Sequence, residues 1–126
     1  MTMVFPAAQA FARPIWSSLR ALHSDCLRLR RDEPALRAGA ADCEVAADPD
    51  AGWVRLALRA PAAPSLLAVF NFAGAQDVPL PGGPARELLL STDAARYGGS
   101  GGQCRLAADG VAAPPWGALL LREHAR

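Results

Sequence analysis

At 126 residues, with 52% hydrophobic and 20% charged residues, the chain is one domain's worth of protein with enough apolar content to bury a core. These proportions exclude a disordered tail, and no apolar run reaches the length needed to cross a bilayer. A formal net charge of +1 leaves no global field to recruit nucleic acid, acidic lipid or an acidic substrate.

All 13 basic residues are arginine, which together with abundant Ala, Gly and Pro reads as a coding bias of the source genome. The arginines cluster only around Arg28, Arg30 and Arg31. Three cysteines, Cys26, Cys43 and Cys104, form no closely spaced pair, and an odd count fits a reducing compartment. The opening residues have neither a positive n-region nor a long h-region, so the expected location is the cytoplasm.

Residues 1–13 form a poorly patterned lead punctuated by Pro6, and Pro14 suits the first turn of a helix. From there Ile15, Leu19, Leu22, Cys26 and Leu29 recur at spacings of four, three, four and three, one stripe of a helix running to about Asp32. Arg20, Ser24, Arg28 and Arg31 fall on the other side, and arginines near the C-terminal end complement the helix dipole. Pro34 ends the helix by pushing residue 33 out of the α region.

Short strand signals follow. Cys43 to Ala47 is a weak strand, Asp48 to Gly52 a turn, and Trp53 to Arg59 alternates like a strand with one wet face, Arg55, Ala57 and Arg59 together and Trp53, Val54, Leu56 and Leu58 supplying most of the apolar side. Leu66 to Phe72 is a nearly continuous apolar run between turn formers, which suits a central strand covered on both faces. Asp77 to Leu80 fits only an edge strand, because Pro79 cannot donate to a ladder. Arg86 to Ser91 is another strand, Tyr97 to Gly102 a glycine-rich mobile surface loop, Cys104 to Leu106 a brief pairing, Val111 to Pro115 a lead-in, and Trp116 to Leu121 the last strand. One helix followed by about six or seven short strands predicts a mainly β fold, a small antiparallel Greek-key-like β-sandwich beside an amphipathic helix. The expected division is a lead and helix over 1–36 and a sandwich over 37–126.

Chemistry-bearing patterns are few. A two-carboxylate hydrolase needs acids converging at about 5 Å, but Asp32 and Glu33 are adjacent at a helix end and Asp48 and Asp50 belong to a turn. The glycine-rich run lacks the GK[ST] of a phosphate loop, and G-x-S-x-G is absent. His23, Cys26, Cys43 and Cys104 match no common zinc spacing, and Cys26 already serves the apolar stripe. The residues therefore nominate no catalytic group, metal ligand or cofactor. Trp53, Tyr97 and Trp116 are candidates for stacking on sugar rings, with burial in the core as the competing fate.

Three segments together resemble a known family. Leu27-Arg28-Leu29-Arg30-Arg31-Asp32-Glu33-Pro34-Ala35-Leu36 is similar to the last barrel helix and its exit in α-amylase-family glycoside hydrolases. Leu67 to Phe72 resembles the strand of their C-terminal domain that carries an asparagine. The run Ser91 to Gly101, followed by Pro114-Pro115-Trp116-Gly117-Ala118-Leu119-Leu120-Leu121, resembles the ending of malto-oligosyltrehalose trehalohydrolases and glycogen branching enzymes, with the helix wording favouring the trehalohydrolase side.

The resemblance spans about residues 15–122 and implies a C-terminal β-sandwich packed on a (β/α)₈ barrel, present in cis or supplied in trans, that acts in trehalose biosynthesis on maltooligosyl trehalose. The family's catalytic acids lie in that barrel, and no position here matches their motifs, so the chain alone is expected to be non-catalytic. The competing expectations are a stand-alone α-glucan-binding module and an interaction protein whose helix stripe docks on a partner or drives self-association. No nucleic-acid or membrane partner is expected. Within the family pattern Asn71 reads as structural, its amide tied to neighbouring backbone at the strand end.

Overall fold

The computed structural model describes residues 5–37, 42–82, 85–101 and 104–124, with helix side chains described from Trp16 and those of the first strand from Cys43. Helix α1 spans Phe5–Asp32. It therefore begins nine residues before Pro14, which lies inside it and withholds one backbone donor without ending the helix; Pro6 occupies the first turn instead. The C-terminal end follows expectation. Glu33 takes an extended conformation ahead of Pro34, and a 3-10 turn, Pro34–Leu36, leads away.

Among the described residues eight strands follow: β1 Asp42–Asp48, β2 Trp53–Arg59, β3 Leu66–Asn71, β4 Gln76–Pro79, β5 Arg86–Ser91, β6 Leu106–Ala107, β7 Gly110–Ala113 and β8 Ala118–Glu123. They form two antiparallel sheets, one of five strands in the order β1-β2-β3-β8-β5 and one of three in the order β4-β7-β6. The fold is thus the expected small β-sandwich preceded by a helix. β7 is one strand more than the sequence indicated: the stretch from Val111 pairs with β4 and β6 rather than serving as a lead-in. The last strand starts two residues later than expected, because Pro115 and Trp116 are spent on a turn.

β3 sits at the centre of the larger sheet, between β2 and β8. Its pairings sort side chains by face. Trp53, Ala57, Leu67, Val69, Leu119 and Leu121 point inward and meet Val78, Leu80, Val111 and Ala113 of the smaller sheet. Strand parity places Arg55 on this inner face with Trp53, opposite to Val54, Leu56 and Leu58, so the tryptophan does not share their side as the apolar count implied. Arg55 fits there by stacking 5.5 Å from the Trp53 ring centroid and donating to the Pro79 carbonyl.

The outer face of the same sheet is apolar too, and Leu66 and Ala68 are buried on it. Glu33, at the end of α1, reaches this face through Arg122, so the helix terminus and the following turn with buried Ala35 lie over it. The continuous apolar run of β3 is explained by these two coverings. Toward β1 the outer face is more open, with Val45 exposed.

Candidate functional site

Two polar clusters organise the surface features. The first is at the end of β3. Asn71, 1% exposed, donates from Nδ2 to the carbonyls of Gly74 (3.0 Å) and Pro114 (2.8 Å) and accepts at Oδ1 from the Ala73 amide (3.1 Å) and Gln76 Nε2 (2.8 Å). Gln76 Nε2 also donates to Ala51 (2.8 Å), and the Asn71 amide donates to Gly117 (2.8 Å). One amide side chain thus joins three loops, the structural role read for it from the sequence, with all its bonding capacity used.

The second cluster anchors α1. Asp25 is the most buried described residue of the helix and accepts from Arg96 Nε (2.8 Å), Arg96 Nη2 (3.3 Å) and the Tyr97 hydroxyl (2.5 Å). Arg28 stands 3.5 Å away on the same carboxylate. One residue past the helix, Glu33 accepts from Arg122 Nη1 (2.6 Å), while Arg122 Nε donates to Glu87 (2.8 Å). The Arg96 and Tyr97 side chains come from a 3-10 turn, Ala95–Tyr97, in a loop closed on Asp93, which accepts from the Ser100 amide (3.0 Å) and whose backbone carbonyl accepts from Gly101 (2.9 Å). Through Gly101 the glycine-rich segment is therefore a structured grip on the helix rather than a mobile surface loop; Gly102 lies outside the described residues. Gly99 is required there, since a Cβ would come 2.2 Å from the Asp93 carbonyl oxygen.

The anchoring stripe on α1 differs from the expected one. Leu22 and Leu29 are half-buried as predicted, but Leu19 and Cys26 are exposed and their place is taken by Ser18 and Asp25; Ile15's side chain lies outside the described set. A second apolar row, Trp16, Leu19 and Leu27, faces away from the sandwich at 67%, 53% and 53% exposure, too much to count as buried core. A helix with two apolar rows gives no sequence signal as to which one packs. The buried carboxylate between Leu22 and Leu29 was the available clue, and its partner Arg96 lies 71 positions away.

Hydrogen bonds from Arg96, then Tyr97, hold the Asp25 carboxyl below its ordinary value, while burial and then Asp25 push the Tyr97 hydroxyl up. The Asp25 contribution is present above the unfolded carboxylate value of about 4 and is lost as pH falls through the lower folded one. The stability difference between wild type and Arg96→Ala, read from urea midpoints, is expected to be constant from about pH 4 toward neutrality and to shrink below it. A difference independent of pH through the acid range would show that Asp25 does not anchor the helix.

The three aromatic candidates are dispersed. Trp53 is in the core under Arg55, Tyr97 is half-buried with its hydroxyl committed to Asp25, and Trp116 is 75% exposed, the one whose ring is free to meet a ligand. A fourth aromatic, Phe72, is 55% exposed at the end of β3. Sequence reading missed it by treating it as part of the strand.

Clefts are shallow and internally neutralised. One of about 550 Å³ over the smaller sheet is lined by Asp77, Arg105 and Asp109 among small residues. A second of about 470 Å³ holds Arg55, Arg59 and Arg86, but Arg59 pairs with Glu44 and Arg86 with Glu123, both at 3.0 Å. A third of about 210 Å³ contains Cys104, whose thiol burial pushes up and so keeps protonated, a poor nucleophile. Asp32 lies by Arg31 and Glu33 turns inward to Arg122, so these two acids do not converge. Among the described residues no three metal-capable side chains come together, and no described helix is long and apolar enough to cross a membrane.

Comparison of the chain with protein-family models gives no match, and comparison with curated proteins gives none.

Proposed function

We propose that the chain is a non-catalytic C-terminal β-sandwich domain of the α-amylase type, resembling that of malto-oligosyltrehalose trehalohydrolases, which carries a final helix and supports a (β/α)₈ barrel provided in cis or in trans. The observation that carries this reading is the way α1 is held. Arg96 and Tyr97 hold Asp25 on one side of it, and Arg122 holds Glu33 just past its end, while Trp16, Leu19 and Leu27 are left facing outward. A helix fixed by hydrogen bonds on one side that exposes three large apolar side chains among arginines on the other suits cover by a further layer. Arg96 and Tyr97, which grip the helix at Asp25, lie in the Ser91 to Gly101 run that carries part of the family resemblance. In this role the chain supplies surface and rigidity, and the hydrolytic acids belong to the barrel.

The test pairs this protein with a trehalohydrolase barrel truncated before its own last helix. Co-elution on size exclusion is expected for wild type and loss of co-elution for Leu19→Asp, whose exposed position leaves the sandwich itself unaltered. The protein alone is expected to release no trehalose from maltooligosyl trehalose. Trehalose release by the purified chain, or absence of any complex, would overturn the reading.

A second reading, a stand-alone α-glucan-binding module, is favoured by the exposed ring of Trp116. Maltoheptaose titration separates it from a purely structural role.

A further inference from the structure

We infer that Trp116 and Phe72 form one aromatic edge that binds a neutral oligosaccharide, with the exposed Asp50 of the adjoining β1–β2 turn supplying a hydroxyl acceptor. The inference rests on the second reading only for the class of ligand; the site itself comes from four observations.

The backbone at Trp116 is in the left-handed region, φ 51°, a conformation that a bulky side chain avoids and that glycine or asparagine normally supplies in turns. Glycine stands one position later, where it is needed for another reason: a Cβ at Gly117 would come 2.6 Å from the Pro114 ring. The strained position thus keeps a tryptophan, and the fold makes no use of its 75% exposed ring. Strain retained without a packing return points to a role outside the fold.

The turn is also over-determined. The Trp116 amide donates to Ala73 (3.1 Å), Asn71 Nδ2 to Pro114 (2.8 Å), and the Asn71 amide to Gly117 (2.8 Å). These bonds clamp residues 114–117 onto residues 71–73, so the backbone of Phe72, a residue 55% exposed and flanked by two of the clamping residues, adjoins that of Trp116. The backbone that carries both aromatics is fixed before any ligand arrives, which removes part of the ordering cost of binding.

The Phe72 amide donates to Gly52 (2.8 Å), which brings the β1–β2 turn alongside. In that turn Asp50 is exposed; its amide bonds to Asp48, and its carboxylate has no partner among the described residues. None of the three clefts above includes Phe72 or Trp116. With 75% and 55% exposure the two aromatics present an open edge, and the ligand it fits is an extended chain of rings. Pyranoses offer apolar C–H faces to the aromatics and hydroxyls to the carboxylate, and lacking charge they need no counter-ion.

Calorimetric titration with maltoheptaose tests this on the full chain. Wild type should give saturable heat, with affinity reduced about tenfold in each of Trp116→Ala and Phe72→Ala and less in Asp50→Asn. Trp116→Asn, which suits the left-handed backbone, should lose binding while melting no lower than wild type. Heat that survives both aromatic substitutions would overturn the site while leaving the α-glucan reading standing. No saturable heat from folded wild type would overturn both.

Discussion

Asn71→Ala is expected to lower stability by about 3 kcal/mol and the melting temperature by roughly 10 °C, the larger of two strong effects in this molecule. The substitution removes a side chain that bonds to Gly74, Pro114, Ala73 and Gln76, and leaves their groups without water at a site that is 1% exposed. The penalty is dominated by these stranded donors and acceptors rather than by lost volume. Asn71→Asp should fare no better, since it keeps the acceptors, loses both donors and buries a charge. The measurement is the urea midpoint with m checked for constancy. A loss below 1 kcal/mol would mean that the three loops hold together without the amide.

Arg122→Leu is expected to cost about 2 kcal/mol and to release the C-terminal end of α1. Arg122 lies between two carboxylates, Glu33 and Glu87, and Glu33 has little exposure to water. Without the guanidinium, Glu33 is left buried and unpaired and the two acids face each other. Amide exchange should show faster exchange in the last turns of α1, with β3 and β8 little changed. The double variant Arg122→Leu, Glu33→Leu should recover much of the loss, because an apolar pair at the same place strands no charge. If the double variant is less stable than the single one by the full cost of a second mutation, the pair is not coupled.

The parts of this fold that were legible in the sequence are those where one local rule decides. The run from Leu66 is apolar at successive positions, short, and bounded by Pro64 and Gly74, which together favour a buried strand over a helix segment. Pro34 ends α1, and the six residues from Arg86 read as a strand. What escaped depended on partners far along the chain. β7 has four residues, two of them alanine, and becomes a strand only because β4 and β6 lie on either side of it. Asp25 looks like a solvated residue until Arg96 and Tyr97 are brought to it. Of the aromatic site, Trp116 was visible from composition, but its conformation was not, and Phe72 became visible only once β3 was seen to end at Asn71.

The strand order also has a consequence for synthesis of the chain. β1, β2 and β3 are neighbours in sequence and in the sheet, so they can pair as they leave the ribosome. β5 emerges later but has no contact with β3 until β8 is inserted between them. The larger sheet therefore remains in two pieces until β8 has been translated. Completion of the larger sheet waits on β8, and a message cut short before that strand leaves β3 and β5 linked only through their contacts with β7 and β6 of the smaller sheet.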